Sequence, residues 1–538
     1  MQASLIFLQS LTFSDVLTFI VPITISGIIY RGLSSPLRHL PGAWYTNFTD
    51  IERKYHAWRH QEHKYLMKQL DKYGGGIVRV GPQRVAVGEI AMFKKTMGPR
   101  MAKSKMYEDF AVVGENIFTT RNREFNRMRR GQMGKVFKHP SVVQMQQLVY
   151  EDGIDRLCLL FDSIISGQKK TVCNLYYAFA MMATDVVSSL AFGHAFGAMD
   201  LLFDKMGLDT EHRSFNGSGE SSGKVMELTV GTMMLMVLTA ELPLIRKVPR
   251  KVLPKGIKKL YSLCDALMEF ATATVSGRRK LIENEKPVCG DNLDQGTRRH
   301  DILNALINAK DVDTGATMSN KEIASEITVL LAAGTDTTSN TIVSCIQLLL
   351  RHPQVYKRVK GEVRQTFADK GKTIKYEEAR EQLPFLIATI YETMRYRATT
   401  SGGWPRDSPD QGVVLGEYFI PSGVVIHGSI GGVHMNRDTW EKPFEFNPDR
   451  FMGEQGEERK RNVVAFSSGT RICPGRHLAM LEMVLTLATV LRDYDFALID
   501  PSEETREKPY FEQVDEVCHI TTGFANPDKD CNVFISRA

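Results

Sequence analysis

The first pattern along the chain is an apolar run near its start. Residues 5–30 carry only Gln9, Asp15 and scattered Ser and Thr among apolar side chains. The uncharged part, residues 16–30, is short against the roughly 20 residues a spanning helix needs; reaching back to Leu5 supplies the length but includes Asp15. Pro22 and Gly27 are compatible with a membrane helix. No basic residue precedes the run and no A-x-A site follows it, which favours a retained anchor over a cleaved signal. Arg31, Arg38 and His39 come next, so the positive-inside rule places the remainder in the cytosol. A helix lying in the bilayer interface is the competing reading. Pro36 and Pro41 then stiffen a linker. The organisation expected is an anchor over residues 1–31, a proline-rich hinge over 32–45 and one large domain over 46–538.

Beyond the hinge the periodicity changes segment by segment. Residues 77–87 predict two short strands around a turn at Gly81 and Pro82. Residues 132–352 read mostly as helix, broken by loops near 214–224 and 288–299, the second polar and exposed. Ser319 with Glu322 three residues on is a capping-box signature. Ile323, Ile327, Leu330, Leu331, Ile342, Ile346 and Leu349 carry that helix to a stop at Pro353. Such a helix spans roughly 50 Å at about 1.5 Å per residue, enough to cross a domain. After Arg406, short strands return at residues 412–420, 424–428 and 533–535. Many helices with small sheets toward both ends give a mostly α (α+β) fold.

Composition narrows the function classes. The chain of 538 residues, 43% of them hydrophobic, can bury a large core. Net charge is only +6 and no basic run dominates, so no nucleic-acid partner is expected. The eight cysteines show no C-x-x-C and no metal-finger spacing, which suits a reducing compartment.

Candidate chemistry concentrates near the C-terminus. Phe466, Gly469, Arg471, Cys473 and Gly475 fill every fixed position of F-x-x-G-x-R-x-C-x-G. A thiolate axial ligand pushes electron density onto haem iron and favours O–O cleavage. The two glycines let backbone approach a flat macrocycle, and Arg471 offers a fixed cation to a propionate. Leu478, Met480, Leu481, Val484 and Leu485 read as a helix, with Pro474 at its first position. That sets the thiolate at a helix N-terminus, where amides and the dipole stabilise its charge. Two other readings of Cys473 are an ordinary buried cysteine beside a Gly-rich turn and a hydrolase nucleophile. For the second, His477 is only a helical neighbour and no Cys/His arrangement is visible.

Two further clusters lie upstream. In the middle of the long helix, Ala332, Ala333, Gly334, Thr335, Asp336, Thr337 and Thr338 stand where a core helix would be apolar. Gly weakens the turn and Thr hydroxyls divert backbone bonds, which predicts a local groove. A kinked structural helix with locally satisfied hydroxyls fits the same residues. Glu392 and Arg395 form E-x-x-R and share a helix face, a pattern common in surface ion pairs.

In this order and spacing, the A-G-x-D-T-T run, E-x-x-R, Pro448-Asp449-Arg450-Phe451 and the Cys473 loop resemble the cytochrome P450 superfamily, microsomal type. The likeness runs from about Pro36 to the C-terminus. The hinge style, Pro41-Gly42-Ala43-Trp44, resembles fungal members that tailor secondary metabolites. The resemblance implies the P450 fold and haem b, with Cys473 as axial ligand of the iron. It implies that Phe466, Gly469 and Gly475 line the haem, and that Arg471, Arg406 and Arg130 meet its propionates. Asp336 would relay protons and Thr337 would hydrogen-bond dioxygen. Glu392, Arg395 and Arg450 would form a buried structural triad bracing the Cys loop. The family often has Trp or His four residues before the Arg130 position; Asn126 stands there instead. Arg127, Arg129, Lys135 and Lys138 read either as a solvated face or as a docking face for an acidic electron donor. Substrate contacts would fall in residues 107–118 and at Ala332, Ala333, Thr400, Ser401 and Phe524. The Met233–Met236 stretch is either a mobile roof or plain core.

The function implied is a haem-thiolate monooxygenase inserting one oxygen atom from dioxygen into a small lipophilic substrate. Its partners would be NADPH-cytochrome P450 reductase, cytochrome b5 as an additional donor, and membrane lipid, at the endoplasmic reticulum with a single pass. A family member that rearranges or dehydrates substrate without dioxygen is the alternative, opposed by the intact Asp336-Thr337 pair. A haem protein that binds ligand without catalysis is another.

Overall fold

The computed structural model describes residues 13–167, 172–208, 219–284, 300–500 and 514–538. The loop expected at 288–299 lies outside them, as does the part of the 214–224 loop before Gly219. The chain divides into two compact units, one of residues 1–102 with 402–441, the other of 103–401 with 442–538.

In the first unit a helix runs Phe13–Leu33 with Pro22 inside it. Its described apolar stretch, Val21–Leu33, is shorter than a membrane span. The hinge then wraps a buried Arg79, whose guanidinium donates to the carbonyls of Leu37 (2.9 Å), Leu40 (3.0 Å) and Ala43 (3.2 Å) and to Thr46 Oγ1 (3.0 Å). The two strands expected in residues 77–87 form as Ile77–Gly81 and Arg84–Val87, paired antiparallel. Arg84–Val87 next pairs parallel with Val425–Gly428, which pairs antiparallel with Trp404–Asp407. The parallel pair joins remote segments and left no local trace in the sequence. Val413–Leu415 and Tyr418–Ile420 form a separate hairpin. Tyr65, Leu66, Leu70, Val78, Val80 and Ala86 make the core under the sheet.

The second unit is built on helices. Leu175–Phe192 is long and apolar enough to cross a membrane, yet it is a buried core helix packed along Asn320–Arg351. The latter is the long helix expected from the sequence. Ser319 caps it in the full reciprocal box with Glu322, and it stops at Arg351 ahead of Pro353. Helix Gly219–Glu241 starts inside the expected loop; Ser222 is buried there, so packing overrides the low helix propensity of the Ser/Gly run. The predicted C-terminal strand is the middle of a three-stranded sheet, Val172–Asn174, Asn532–Arg537 and Tyr494–Leu498.

Candidate active site

The Cys473 loop is closed by its own backbone, with Cys473 N donating to Phe466 O at 2.9 Å. Ser467 (φ 62°) and Gly469 (φ 66°) turn the chain through left-handed conformations, which glycine adopts without penalty. The helix that follows begins at Arg476, not at Pro474. Gly475 is its cap, with a non-helical ψ of 6°, so Pro474 belongs to the turn. The amide aimed at Cys473 sulfur is therefore that of Gly475, in the turn itself. Burial pushes the thiol's pKa up, while the Gly475 amide and the charges of Arg130 and Arg476 pull it down.

Arg130 reaches the same loop from helix Arg123–Gly134, donating from Nη2 to Ile472 O at 2.7 Å. Its buried Nε has no partner among the described residues, and neither has the buried Nδ2 of Asn126 one turn earlier. Arg471 is half-buried and donates to Thr120 O at 3.4 Å. Arg406 belongs to the other unit; it is buried on strand Trp404–Asp407 and donates to Pro405 O at 3.1 Å.

Arg129 fits neither a solvated nor a docking face. It is fully buried, paired with Glu322 (2.5 Å) and Glu326 (3.1 Å) and donating to Gln132 (2.9 Å). Its helix turns Asn126, Arg129, Gln132 and Met133 inward together. Glu326, whose pKa burial lifts to about 7, also accepts from Ile117 N at 3.0 Å. Arg127, Lys135 and Lys138 are exposed as expected, with Arg127 pairing Asp313 at 2.9 Å.

The long helix packs against Arg476–Asp493 and passes the 332–338 run without a break. A Cβ at Gly334 would lie 2.8 Å from Val187 Cγ2, so this glycine serves the close crossing with Leu175–Phe192. The run is nevertheless the opened part of an otherwise buried helix: Ala333 is exposed and Gly334 to Thr337 are half-buried. Thr337 Oγ1 donates to Ala333 O at 2.7 Å, leaving its lone pairs as acceptors. Asp336 is held at both oxygens, by Asn340 Nδ2 at 2.9 Å and by the Thr521 hydroxyl; burial raises its pKa. Neither holder was read from the sequence. Asn340 stands one helical turn away and was legible there; Thr521 comes from the distant pair Glu516–Cys518 and Thr522–Phe524, for which no sequence signal exists.

Glu392 and Arg395 are fully buried and bonded at 2.7 Å and 2.8 Å. Arg450 Nε joins Glu392 at 3.1 Å, and Asn447 N donates to it at 2.7 Å. Arg395 also donates to Pro443 O (2.8 Å), and both arginines reach Glu445 O at 3.1 Å. The three charges thus fix segment 442–451.

Among the substrate candidates, Phe110 and Val113 pack in one cluster with Val329 of the long helix, together with Leu235 and Met236. Leu235 and Met236 are core, while Met234 is exposed. Thr400 Oγ1 is tied to Ala465 O at 3.1 Å, just before the Cys loop. Phe524 is buried beneath the Arg397 guanidinium, 4.0 Å from its ring centre.

Residues 55–514 match the family described as cytochrome P450. The chain belongs to the cytochrome P450 family. It is similar to cytochrome P450 monooxygenase helB1 of Aspergillus fumigatus, 28% identical over 538 residues that cover 97% of this chain and 86% of that relative. Monooxygenase helB2 of the same fungus is 30% identical over 436 residues, 79% of each chain. The crystal structure of the cytochrome P450DA heme domain superposes with a TM-score of 0.70 at 17% identity, covering 93% of this chain and 98% of that one, which shows the P450 fold.

Membership implies a haem-iron cofactor, and the residues of this P450 fit one. Beside the Cys473 sulfur stand a partly exposed glycine-bearing turn and a guanidinium whose buried Nε lacks an acceptor. A Cβ added at Gly475 would sit 3.9 Å from the sulfur, so backbone alone borders it on that side.

Proposed function

We propose that this P450 is a haem-thiolate monooxygenase that inserts one oxygen atom of dioxygen into a small lipophilic substrate, in secondary-metabolite biosynthesis. The observation that carries the reading is Cys473 in a closed loop whose following helix packs against the helix bearing Asp336 and Thr337. Bound haem b supplies the redox chemistry that reduces and splits dioxygen. The chain's own residues do the rest. Cys473 ligates the iron as thiolate, and Phe466, Gly469 and Gly475 line the ring beside it. Arg471 and Arg130 would hold the propionates, the role that the family resemblance also gives Arg406. Glu392, Arg395 and Arg450 hold the segment before the Cys loop. Asp336, half-buried and with a carboxyl that burial holds above the usual carboxylate range, would relay protons, and Thr337 beside it would hydrogen-bond dioxygen. NADPH-cytochrome P450 reductase provides the electrons, with cytochrome b5 as a second donor. Production of an oxygenated product from candidate terpenoids, polyketides or fatty acids, by membranes carrying this chain and a reductase, tests the reading.

Thr337→Ala is expected to keep its haem spectrum and still consume NADPH, because among the described residues the hydroxyl bonds only its own helix. Positioned proton-transfer groups contribute roughly 10²–10⁴-fold, and water can replace part of that. Product per NADPH should fall at least about tenfold, with hydrogen peroxide rising in its place. Unchanged product per NADPH would remove Thr337 from the mechanism and favour chemistry without dioxygen.

The first helix is proposed to anchor the chain in the endoplasmic reticulum with the catalytic part in the cytosol. Asn47 and Asn216 are glycosylation acceptors by sequence and should stay unmodified. Asn216 lies outside the described residues. Asn47 is half-buried, its Nδ2 donating to Trp44 O at 3.2 Å, so an unmodified Asn47 is weaker support than protease digestion of the catalytic part in sealed microsomes. A glycosidase-sensitive mass, or full protection from protease, reverses the topology.

A further inference from the structure

At the end of the first helix, the first unit forms an open cleft of 540 Å³ bordered by Leu33, Arg38, Trp44, Asn47, Tyr73 and Arg79. Its charge is one-sided. Arg79 is buried, and among the described residues every partner of its guanidinium is a carbonyl or a hydroxyl. Those dipoles solvate the cation without neutralising it. Arg38 is exposed at the border and forms no ion pair among the described residues. The nearby carboxylates are committed elsewhere: Asp50 to Arg53 and Lys54, Glu62 to Arg53, and Glu52 to the Tyr45 hydroxyl. Two positive charges therefore border one cleft whose lining, among the described residues, includes no carboxylate. A second observation points to the ligand's other half. Asn47 Oδ1 is buried and accepts nothing among the described residues, so it calls for a donor.

The surroundings indicate where such an anion comes from. The helix ending at the cleft exposes Ile25, Ile28, Ile29, Tyr30 and Leu33. Trp44 at the border is 75% exposed. Helix Ile51–Trp58 shows Ile51, Tyr55 and Trp58 to solvent at one-turn spacing, a single apolar face. Trp and Tyr beside an apolar helix are the residues that settle at headgroup level. We infer that the cleft binds the headgroup of an anionic phospholipid, its phosphate on Arg38 under the field of Arg79 and a headgroup hydroxyl on Asn47 Oδ1. The inference rests on the proposed membrane insertion of the first helix, not on the haem chemistry.

The test uses the full-length holoprotein in detergent, with Trp44 fluorescence as reporter and Trp44→Phe as its control. Short-chain phosphatidylinositol should bind at least about fivefold more tightly than short-chain phosphatidylcholine, the scale of one basic residue acting on one lipid charge. Arg38→Glu should erase that preference. Asn47→Asp, which puts a carboxylate into the cleft, should erase it too. Both variants should keep the spectrum of the reduced, CO-bound protein, since neither residue belongs to the haem site. Equal binding of the two lipids, or a preference that survives both variants, overturns the inference. Free inositol phosphate binding as tightly as the lipid overturns the lipid source and leaves a soluble phosphate. Release of the protein from microsomes by carbonate, with the lipid preference retained, would instead remove the anchor and leave the cleft standing.

Discussion

Cys473→Ala is expected to give a folded chain with little haem and no red-shifted Soret band when reduced under CO. The substitution is clean for a structural reason. The loop is held by Cys473 N on Phe466 O, a backbone bond that alanine keeps, and by Arg130 on Ile472 O. The sulfur is partly exposed, and the Gly475 amide aimed at it is the contact that alanine removes. The sulfur's chemical role is a different matter. In the proposed reading the thiolate would set the electronic character of the iron, a role for which the loop offers no other thiol. Cys173, Cys264, Cys345 and Cys531 are buried in the core, their thiols pushed up to about 11 or 12, and none of them lies in the F-x-x-G-x-R-x-C-x-G loop. The measurement is the CO difference spectrum, with circular dichroism to show retained fold. A thiolate-type band surviving in the alanine variant would place the ligand elsewhere and remove the central assignment.

How far the sequence revealed this site depends on how local each interaction is. The capping box of the long helix, its stop before Pro353 and the E-x-x-R pair are short-range events and were legible as such. So was the tight turn before Cys473, because Phe466 and Gly469, which close it, sit within a few residues of that cysteine. Three features were read incompletely for one reason, that the deciding contact comes from elsewhere. Gly334 was read as weakening its own turn, and it also packs closely against Val187 of another helix. Arg129 looked solvated because its helix is strongly polar, yet Glu322 and Glu326 of the long helix take it inside. Asp336 is completed by Thr521, far along the chain, and no periodicity reports such a contact. The start of the Cys-loop helix was misplaced for a local reason: Pro474 suits a first helical position as well as it suits a turn.

Glu392→Ala is expected to abolish most holoprotein, without Glu392 being a catalytic residue. Its carboxylate carries four bonds, from Arg395 Nε and Nη2, Arg450 Nε and Asn447 N, at 2.7 to 3.1 Å. Glu392 and Arg395 are completely buried and Arg450 nearly so. Two guanidiniums would be left facing one another without an anion, and the Asn447 amide without an acceptor. Breaking a buried pair from one side costs about 3–5 kcal/mol, against a total stability of roughly 5–15 kcal/mol for a typical fold. The loss falls on segment 442–451, whose carbonyls at Pro443 and Glu445 the same arginines hold. That segment leads by way of Arg459, which donates to Arg450 O at 3.1 Å, into the Cys loop. Glu392→Gln should be intermediate, because an amide keeps one acceptor and the shape but drops the charge. The checks are haem content per chain and the thermal midpoint in the order glutamate, glutamine, alanine. A Glu392→Ala protein that loads haem normally and melts like the parent, losing only turnover, would move Glu392 from the scaffold into the chemistry.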